Sequence, residues 1–395
     1  MVLFFLGFSL RLVVFVVAHN EIDEIIYIEL VKQLDSGNGY TLQGTPLLEL
    51  DIIDRNGYDK PLFFHPPGGI ALFWLFYNVI GIWGFPLAQL FSYVLFFCSM
   101  ILLARLFGLA SSSIGLLLVA GLSAFSPIMA HVTIYYWLDG PLLGFSTLAS
   151  AVFIWAVKRE SALLAIISGL LLGYASLIKL TAFLIFPGIT ALAWLLCTDK
   201  KKFLRFVPYL IVPAILVQTP WEVYQWIKVG TPFPGWAGKP CDSLIESNNY
   251  VKYLTVIRSH WIYLSLLPRI MCTFIPSIFL YIFLWKNKSL RRQGACLFMW
   301  IFVVIIFHVI LAYLGYSKVV RYIILITPPS ILLFSILTTE TIRRIELGIK
   351  STFKKSFTAV ILLFSGLSFF AEILTGIVAS FNYYLCLIDP IFGGF

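Results

Sequence analysis

Hydrophobic positions in this chain come in long unbroken runs, not in the alternation of a half-buried sheet or the single stripe of a soluble helix. A helix needs roughly 17–25 apolar residues to cross a bilayer. About eleven runs of that order can be marked, near 2–18, 86–106, 113–129, 139–157, 161–178, 180–197, 203–219, 262–285, 294–314, 322–338 and 357–380. They predict an all-α polytopic membrane protein. The run from Gly68 to Trp83, "GGIALFWLFYNVIGIW", is apolar but short, and counting it as a span would move every later basic cluster to the other side of the membrane. It is read as a membrane-dipping or interfacial helix. No internal repeat, low-complexity tract or soluble appendage interrupts the pattern, so residues 1–395 read as one transmembrane domain.

Composition agrees. With 60% of its 395 residues hydrophobic and 12% charged, the chain carries too much apolar surface for a soluble domain. The opening run, Val2 to Ala18, lacks a small-x-small cleavage site before the acidic stretch that follows and is read as the first span, not a signal peptide. The net charge of +9 excludes little alone, because basic residues beside spans report topology and attraction to anionic lipid; no nucleic-acid partner is inferred. With a cytoplasmic amino terminus, 16 of the 28 basic residues fall in short loops on one side, which makes the topology self-consistent. The opposite side then receives two long extracytoplasmic loops, 19–85 and 219–261. Nine of the 19 acids lie between Glu21 and Asp59, so this outer face is locally acidic on a basic protein. Six scattered cysteines show no metal-ligand spacing and read as small hydrophobes, a Cys241–Cys386 pair remaining open.

Candidate chemistry gathers on that outer face. In "AHNEIDEIIYIEL", residues 18–30, apolar Ile22, Ile25, Ile26, Leu30 and Leu34 recur at helical spacing, which predicts an amphipathic helix on the membrane surface with Asp23 and Tyr27 on one side. On this segment alone a purely structural role accounts for the acids equally well: Asn20 or Asp23 caps the helix and Glu24 complements its dipole. "DSGNGY", Asp35 to Tyr40, supplies a turn. "DKPLFFHPPGG" offers the cation Lys60 and the titratable His65. Asp139 opens a span at its outer end, Lys179 stands between two apolar runs, and Arg321 with Tyr322 flanks a later span. Each has a structural alternative as a cap, a snorkelling lysine or an interfacial anchor. Together they matter more, because the topology brings Asp23, Asp139, Lys179 and Arg321 to one membrane face. A charge at the bilayer centre costs about 2.5–3.5 kcal/mol on insertion scales, and these groups avoid it by sitting at the boundary.

The order of these motifs resembles the integral-membrane glycosyltransferases of the GT-C class, in particular the family 39-like branch of protein O-mannosyltransferases and lipid A aminoarabinose transferases. The resemblance rests on Arg11 within the first span, the acidic motif and tyrosine Asp23, Glu24 and Tyr27, and the Gly37–Tyr40 turn. It also rests on Lys60-Pro61 and His65-Pro66-Pro67, Ser126-Pro127 before Asp139-Gly140-Pro141, Lys179 with Thr181, "TPWEVYQWIKVGTPFP" at 219–234, and Arg321-Tyr322. It implies a GT-C-like bundle of about 11 transmembrane helices whose outer loop carries interfacial helices. The activity implied is inverting transfer of a sugar from a polyprenyl-phosphate donor to an acceptor hydroxyl, lipid, glycan or protein, on the extracytoplasmic face of the cell membrane. By the same resemblance Asp23 and Glu24 are catalytic, Asp23 binding or deprotonating the acceptor. Lys179 and Arg321, with Lys60 or His65, take the donor phosphate. Tyr27, Asp139, Trp221 and Tyr322 contact substrate, and the aromatic loop around Trp221, Tyr224, Trp226 and Trp236 covers the site. No cofactor is implied; Glu49, Asp51 and Asp54 read as a solvated acidic loop, not a cation site.

The competing readings are a transporter or flippase of a lipid-linked sugar and a non-catalytic scaffold. A transporter would show inverted repeats and midplane polar groups, whereas here the polar groups gather at one interface, with Arg11 and His308 as the main exceptions.

Overall fold

A computed structural model of the chain describes residues 1–14, 22–42, 44–45, 47, 66–197, 199–229, 271–313, 320–347 and 352–381. Every regular element among them is helical. Among the described residues six stretches are long and apolar enough to cross a membrane, and five shorter apolar helices accompany them, so each of the eleven expected spans has a helical counterpart. The helices are α1 (Val2–Val14), α2 (Ile22–Asp35), α3 (Gly68–Ile80), α4 (Gly84–Leu106), α5 (Ser113–Phe125), α6 (Pro127–Ile134) and α7 (Asp139–Arg159). They continue with α8 (Ala162–Ile178), α9 (Phe186–Leu196), α10 (Lys200–Val229), α11 (Phe274–Phe283), α12 (Lys288–Tyr313), α13 (Thr327–Glu346) and α14 (Thr352–Phe381). Short 3₁₀ segments, among them Leu180–Ile185 and Val320–Ile326, join several of them.

Burial sorts the bundle. In α7 and in the stretch Ile323–Glu346, which contains α13, 83% and 89% of the spanning window is buried, against 28% for α10, so α7 and α13 form the centre and α10 lies at the periphery. In a bilayer no hydrophobic gradient pulls one helix onto another, and close backbone approach takes over. On α8, Gly169 and Gly173 stand four apart, and a Cβ at Gly173 would meet Ala214 O of α10 at 2.8 Å. This glycine pair seats α10 against α8. Pro208, Pro213 and Pro220 lie inside α10 without ending it, as neighbouring helices permit in a membrane.

Two expectations change. The helix α10 runs to Val229, so Trp221, Tyr224 and Trp226 ride on its last turns and not in a loop. On α2 the buried side holds Glu24, Ile26, Tyr27, Leu30 and Val31, while Ile25 is 40% exposed: contact with α3 selects the buried face, where apolar spacing alone had included Ile25. The run Gly68–Trp83 folds back on α4, with Phe73 against Phe85 (5.2 Å between ring centres) and Phe76 against Phe91 (5.6 Å).

Candidate functional site

The site is organised by a short segment, residues 133–139, that ends α6 and begins α7. Its centre is fixed by a carboxylate from the first loop: Glu24, buried in the first turn of α2, accepts a hydrogen bond from the Tyr136 backbone N–H at 2.9 Å. The helix starts at Ile22, so Asp23 and Glu24 both complement its dipole from within the first turn. Gln89 of α4 donates to Trp137 O at 2.7 Å and holds the next residue. Burial, and the Glu24 charge beside it, push the Tyr136 phenol above its ordinary range.

Three residues beyond Tyr136, Asp139 accepts both oxygens' bonds from Lys179 Nζ, at 2.8 and 2.9 Å, in a pair almost wholly buried. Lys179 stands where α8 stops and the 3₁₀ segment Leu180–Ile185 begins, in extended backbone. Three residues span at most about 11 Å, so the Glu24 carboxylate and the Asp139–Lys179 pair are drawn to one neighbourhood by a single tether. His308 of α12 is buried within electrostatic reach of both Asp139 and Lys179, its Nδ1 2.8 Å from Val304 O. At the other end of the segment Thr133 accepts from Arg11 Nε at 2.8 Å.

Two clefts flank Lys179. One, of about 640 Å³, opens between the turn after α2 and the end of α10, with Leu177, two residues before Lys179, at one edge and Tyr40, Trp221 and Tyr224 in its wall. The other, of about 660 Å³, is mostly apolar and begins at Leu180 and Thr181, with Phe183, Ile215 and Phe307 around it. A polar relay from α8 borders this second cleft: Ser176 donates to Gln218 Oε1 at 2.9 Å, and Gln218 Nε2 donates to Glu222.

Of the residues singled out in the sequence, the structure therefore brings together Glu24, Asp139 and Lys179. Asp23 is half-buried beside Glu24, Tyr27 is buried on the same helix, and Trp221 lines the first cleft. The backbone of Arg321 and Tyr322 belongs to the 3₁₀ segment Val320–Ile326, which packs on α7, α12 and the segment after Lys179; their side chains lie outside the described part. Lys60, His65, Glu49, Asp51, Asp54, Trp236, Cys241 and Cys386 also lie outside the described residues. Sequence reasoning did not single out Gln89, Gln218 or Tyr136, whose importance lies in distant hydrogen bonds that carry no local signal.

No protein-family model and no curated sequence matches the chain. Solved structures do. ArnT from Cupriavidus metallidurans in the apo state superposes with a TM-score of 0.61 over 96% of this chain and 76% of that one, at 17% identity. The same protein bound to undecaprenyl phosphate gives 0.52 at 16% identity, covering 96% and 75%. The Archaeoglobus fulgidus oligosaccharyltransferase tethered with an acceptor peptide gives 0.51 at 12% identity, over 91% of this chain and 51% of that one. Their shared architecture, reached by a chain whose eleven expected spans are helices, shows that this protein has the GT-C fold of polytopic membrane glycosyltransferases.

Proposed function

We propose that the chain is a membrane glycosyltransferase that moves a sugar from a polyprenyl-phosphate donor to an acceptor hydroxyl, with inversion, on the extracytoplasmic face. The observation that carries this reading is the tether: one segment, Tyr136 to Asp139, holds a carboxylate-bearing helix at one end and a buried lysine at the other. Sugar transfer from a lipid phosphate needs a carboxylate to take the acceptor proton and cations to meet the departing phosphate. Asp23, less buried than Glu24, is the base. The acceptor oxygen forms its bond to the anomeric carbon as its proton passes to Asp23, and the bond from that carbon to the phosphate oxygen breaks with its electron pair. Glu24 acts by holding Tyr136, and so by positioning the segment that carries Asp139.

Lys179, with Arg321 and with Lys60 or His65, receives the charge developing on the phosphate. Asp139 shares Lys179 with the incoming phosphate and keeps the lysine aimed through both of its oxygens. Tyr27, Trp221 and Tyr322 complete the substrate contacts. The ArnT neighbour bound to undecaprenyl phosphate and the oligosaccharyltransferase tethered to an acceptor peptide support a lipid donor and a separate acceptor as the two partners.

The test uses the purified full chain in lipid nanodiscs with a polyprenyl-phosphate sugar, reading release of free polyprenyl phosphate. Asp23→Asn lowers turnover by about 10²-fold or more while donor binding persists, the size expected for loss of a general base. Turnover equal to the parent, or recovery of intact donor on the far leaflet of a vesicle without cleavage, would sink the reading, and the second result would favour a flippase.

A further inference from the structure

We propose that the cleft between the turn after α2 and the end of α10 is a subsite for sugar rings remote from the reacting carbon, and that the substrate it takes is therefore a saccharide. The proposal rests on the glycosyltransferase reading only in naming what the subsite serves. Three aromatic rings shape the wall: Tyr40 stands edge-on to Trp221 (6.0 Å between ring centres, 80° between planes), and Trp221 stacks with Tyr224 (5.7 Å, 26°). A pyranose has an apolar C–H face and a rim of hydroxyls, and the electron-rich face of an aromatic ring attracts the former. The rim is served too. Thr41 and Asn38 line the same cleft, and Asn38, whose amide nitrogen donates to Gln33 Oε1 at 2.8 Å, keeps its carbonyl oxygen as an acceptor. None of the described residues lining the cleft is charged, which suits neutral hydroxyls and suits neither a phosphate nor a charged peptide. Its volume, about 640 Å³, falls in the range of small-molecule sites.

The turn that presents Tyr40 is built for the purpose. After α2, Gly37 and Gly39 both take left-handed backbone (φ +78° and +88°), Asn38 N–H bonds back to Gln33 O at 2.9 Å, and Tyr40 follows directly. A side chain at Gly39 would strain this conformation. The location explains why the rings bound are remote. Asp23 and Asp35 are twelve residues apart on one helix, about 18 Å, so the Asn38 end of the cleft lies far from the Asp23–Glu24 carboxylates. Its Leu177 edge lies two residues from Lys179. The neighbouring apolar cleft, beginning at Leu180, offers a hydrocarbon chain a better match and leaves this one to carbohydrate.

Binding can be read without catalysis. The full chain in nanodiscs, applied to a printed oligosaccharide array and to a peptide array, binds at least one class of oligosaccharide. Tyr40→Leu and Tyr224→Leu weaken that binding about tenfold, the size of a lost aromatic contact. Tyr40→Phe retains it, which separates a stacking role from a structural one, and Gly39→Ala weakens it by moving the ring. In turnover, Tyr40→Leu raises KM for the acceptor if the rings belong to the acceptor, with acceptor-independent donor hydrolysis unchanged, or KM for the donor if they belong to a donor glycan; either supports the subsite. Binding to peptides and to no saccharide, or saccharide binding indifferent to Tyr40→Leu and Tyr224→Leu, overturns it. A chain that binds saccharides through Tyr40 yet never releases polyprenyl phosphate would defeat the catalytic reading and leave the subsite standing.

Discussion

The structure buries two cations near the same segment and partners them in opposite ways, leaving Arg11 Nη2 without a hydrogen bond among the described residues. Lys179, 8% exposed, faces a carboxylate, both of whose oxygens it bonds. Arg11, fully buried, has no carboxylate partner among the described residues. It donates to Thr133 Oγ1 (2.8 Å), Gly7 O (2.8 Å) and Ala124 O (3.1 Å), and its guanidinium lies 4.0 Å over the Tyr93 ring. The side chains suit the difference. A guanidinium is a planar, weakly hydrated fork that can serve several carbonyls and lie on a ring, whereas an ammonium is a compact charge with three donors that fits one oxyanion well. The difference bears on the proposed function, in which an arriving phosphate shares Lys179 with Asp139. Arg11's partners are the backbone of α1 and α5, so its charge fastens those helices to Thr133 and has nothing to exchange.

That contrast breaks most visibly at Lys179. Lys179→Met removes both hydrogen bonds that the Asp139 carboxylate accepts from the ammonium and costs about 3–5 kcal/mol of stability, as losing one partner of a buried pair does. The pair Asp139→Leu with Lys179→Met removes both charges together and returns stability to within about 1 kcal/mol of the parent, while the proposed role of Lys179 keeps turnover lost. Denaturant unfolding in mixed micelles, paired with polyprenyl phosphate release, separates the two effects. If the double variant is no more stable than Lys179→Met alone, the two side chains do not form a closed pair and the comparison fails.

Arg11→Met comes second. It removes three hydrogen bonds and a cation–ring contact but leaves no opposing charge uncompensated, so the cost is about 2–3 kcal/mol. No second substitution at a described carboxylate restores it, because Arg11 has no carboxylate partner among the described residues. The same unfolding measurement checks this. A carboxylate substitution that rescued Arg11→Met would reveal a hidden ionic partner and erase the distinction from Lys179.

The sequence made the scaffold legible because crossing a bilayer demands long apolar helices, and that demand is written locally: each expected span recurs as a helix. Asp139 and Lys179 were legible too, since a charge at the end of an apolar run is expensive enough to call for a reason. Their pairing was less so, because forty residues separate them and only the packing of α7 against α8 brings them together. The roles of Asp23 and Glu24 could not be divided from the sequence. Adjacent residues on a helix point about 100° apart, and which of them meets Tyr136 depends on how α2 lies on α3. The Gly169–Gly173 pair that seats α10 has the spacing of a small-residue contact motif, which sequence reasoning did not single out. The extension of α10 past Pro220 was not legible, since a proline after an apolar run usually marks an end.

The smallest effect sharpens the Arg11 side. Thr133 uses its hydroxyl twice: it donates to Met129 O at 2.6 Å within its own helix and accepts from Arg11 Nε at 2.8 Å. Thr133→Val keeps the shape and removes the acceptor, leaving one of the guanidinium's buried donors unpaired at a cost of about 1–2 kcal/mol. In the Arg11→Met background that donor no longer exists, and the same substitution costs only the local bond to Met129. A double-mutant cycle therefore returns a coupling of about 1 kcal/mol. A coupling near zero would mean that the carbonyls of Gly7 and Ala124 hold Arg11 without Thr133, and that the first span is not tied through this residue to the segment carrying Tyr136 and Asp139. A coupling of the expected size would make Thr133 the link by which a fixed charge in the first span steadies the segment that carries Asp139, six residues on, and through Asp139 the lysine paired with it.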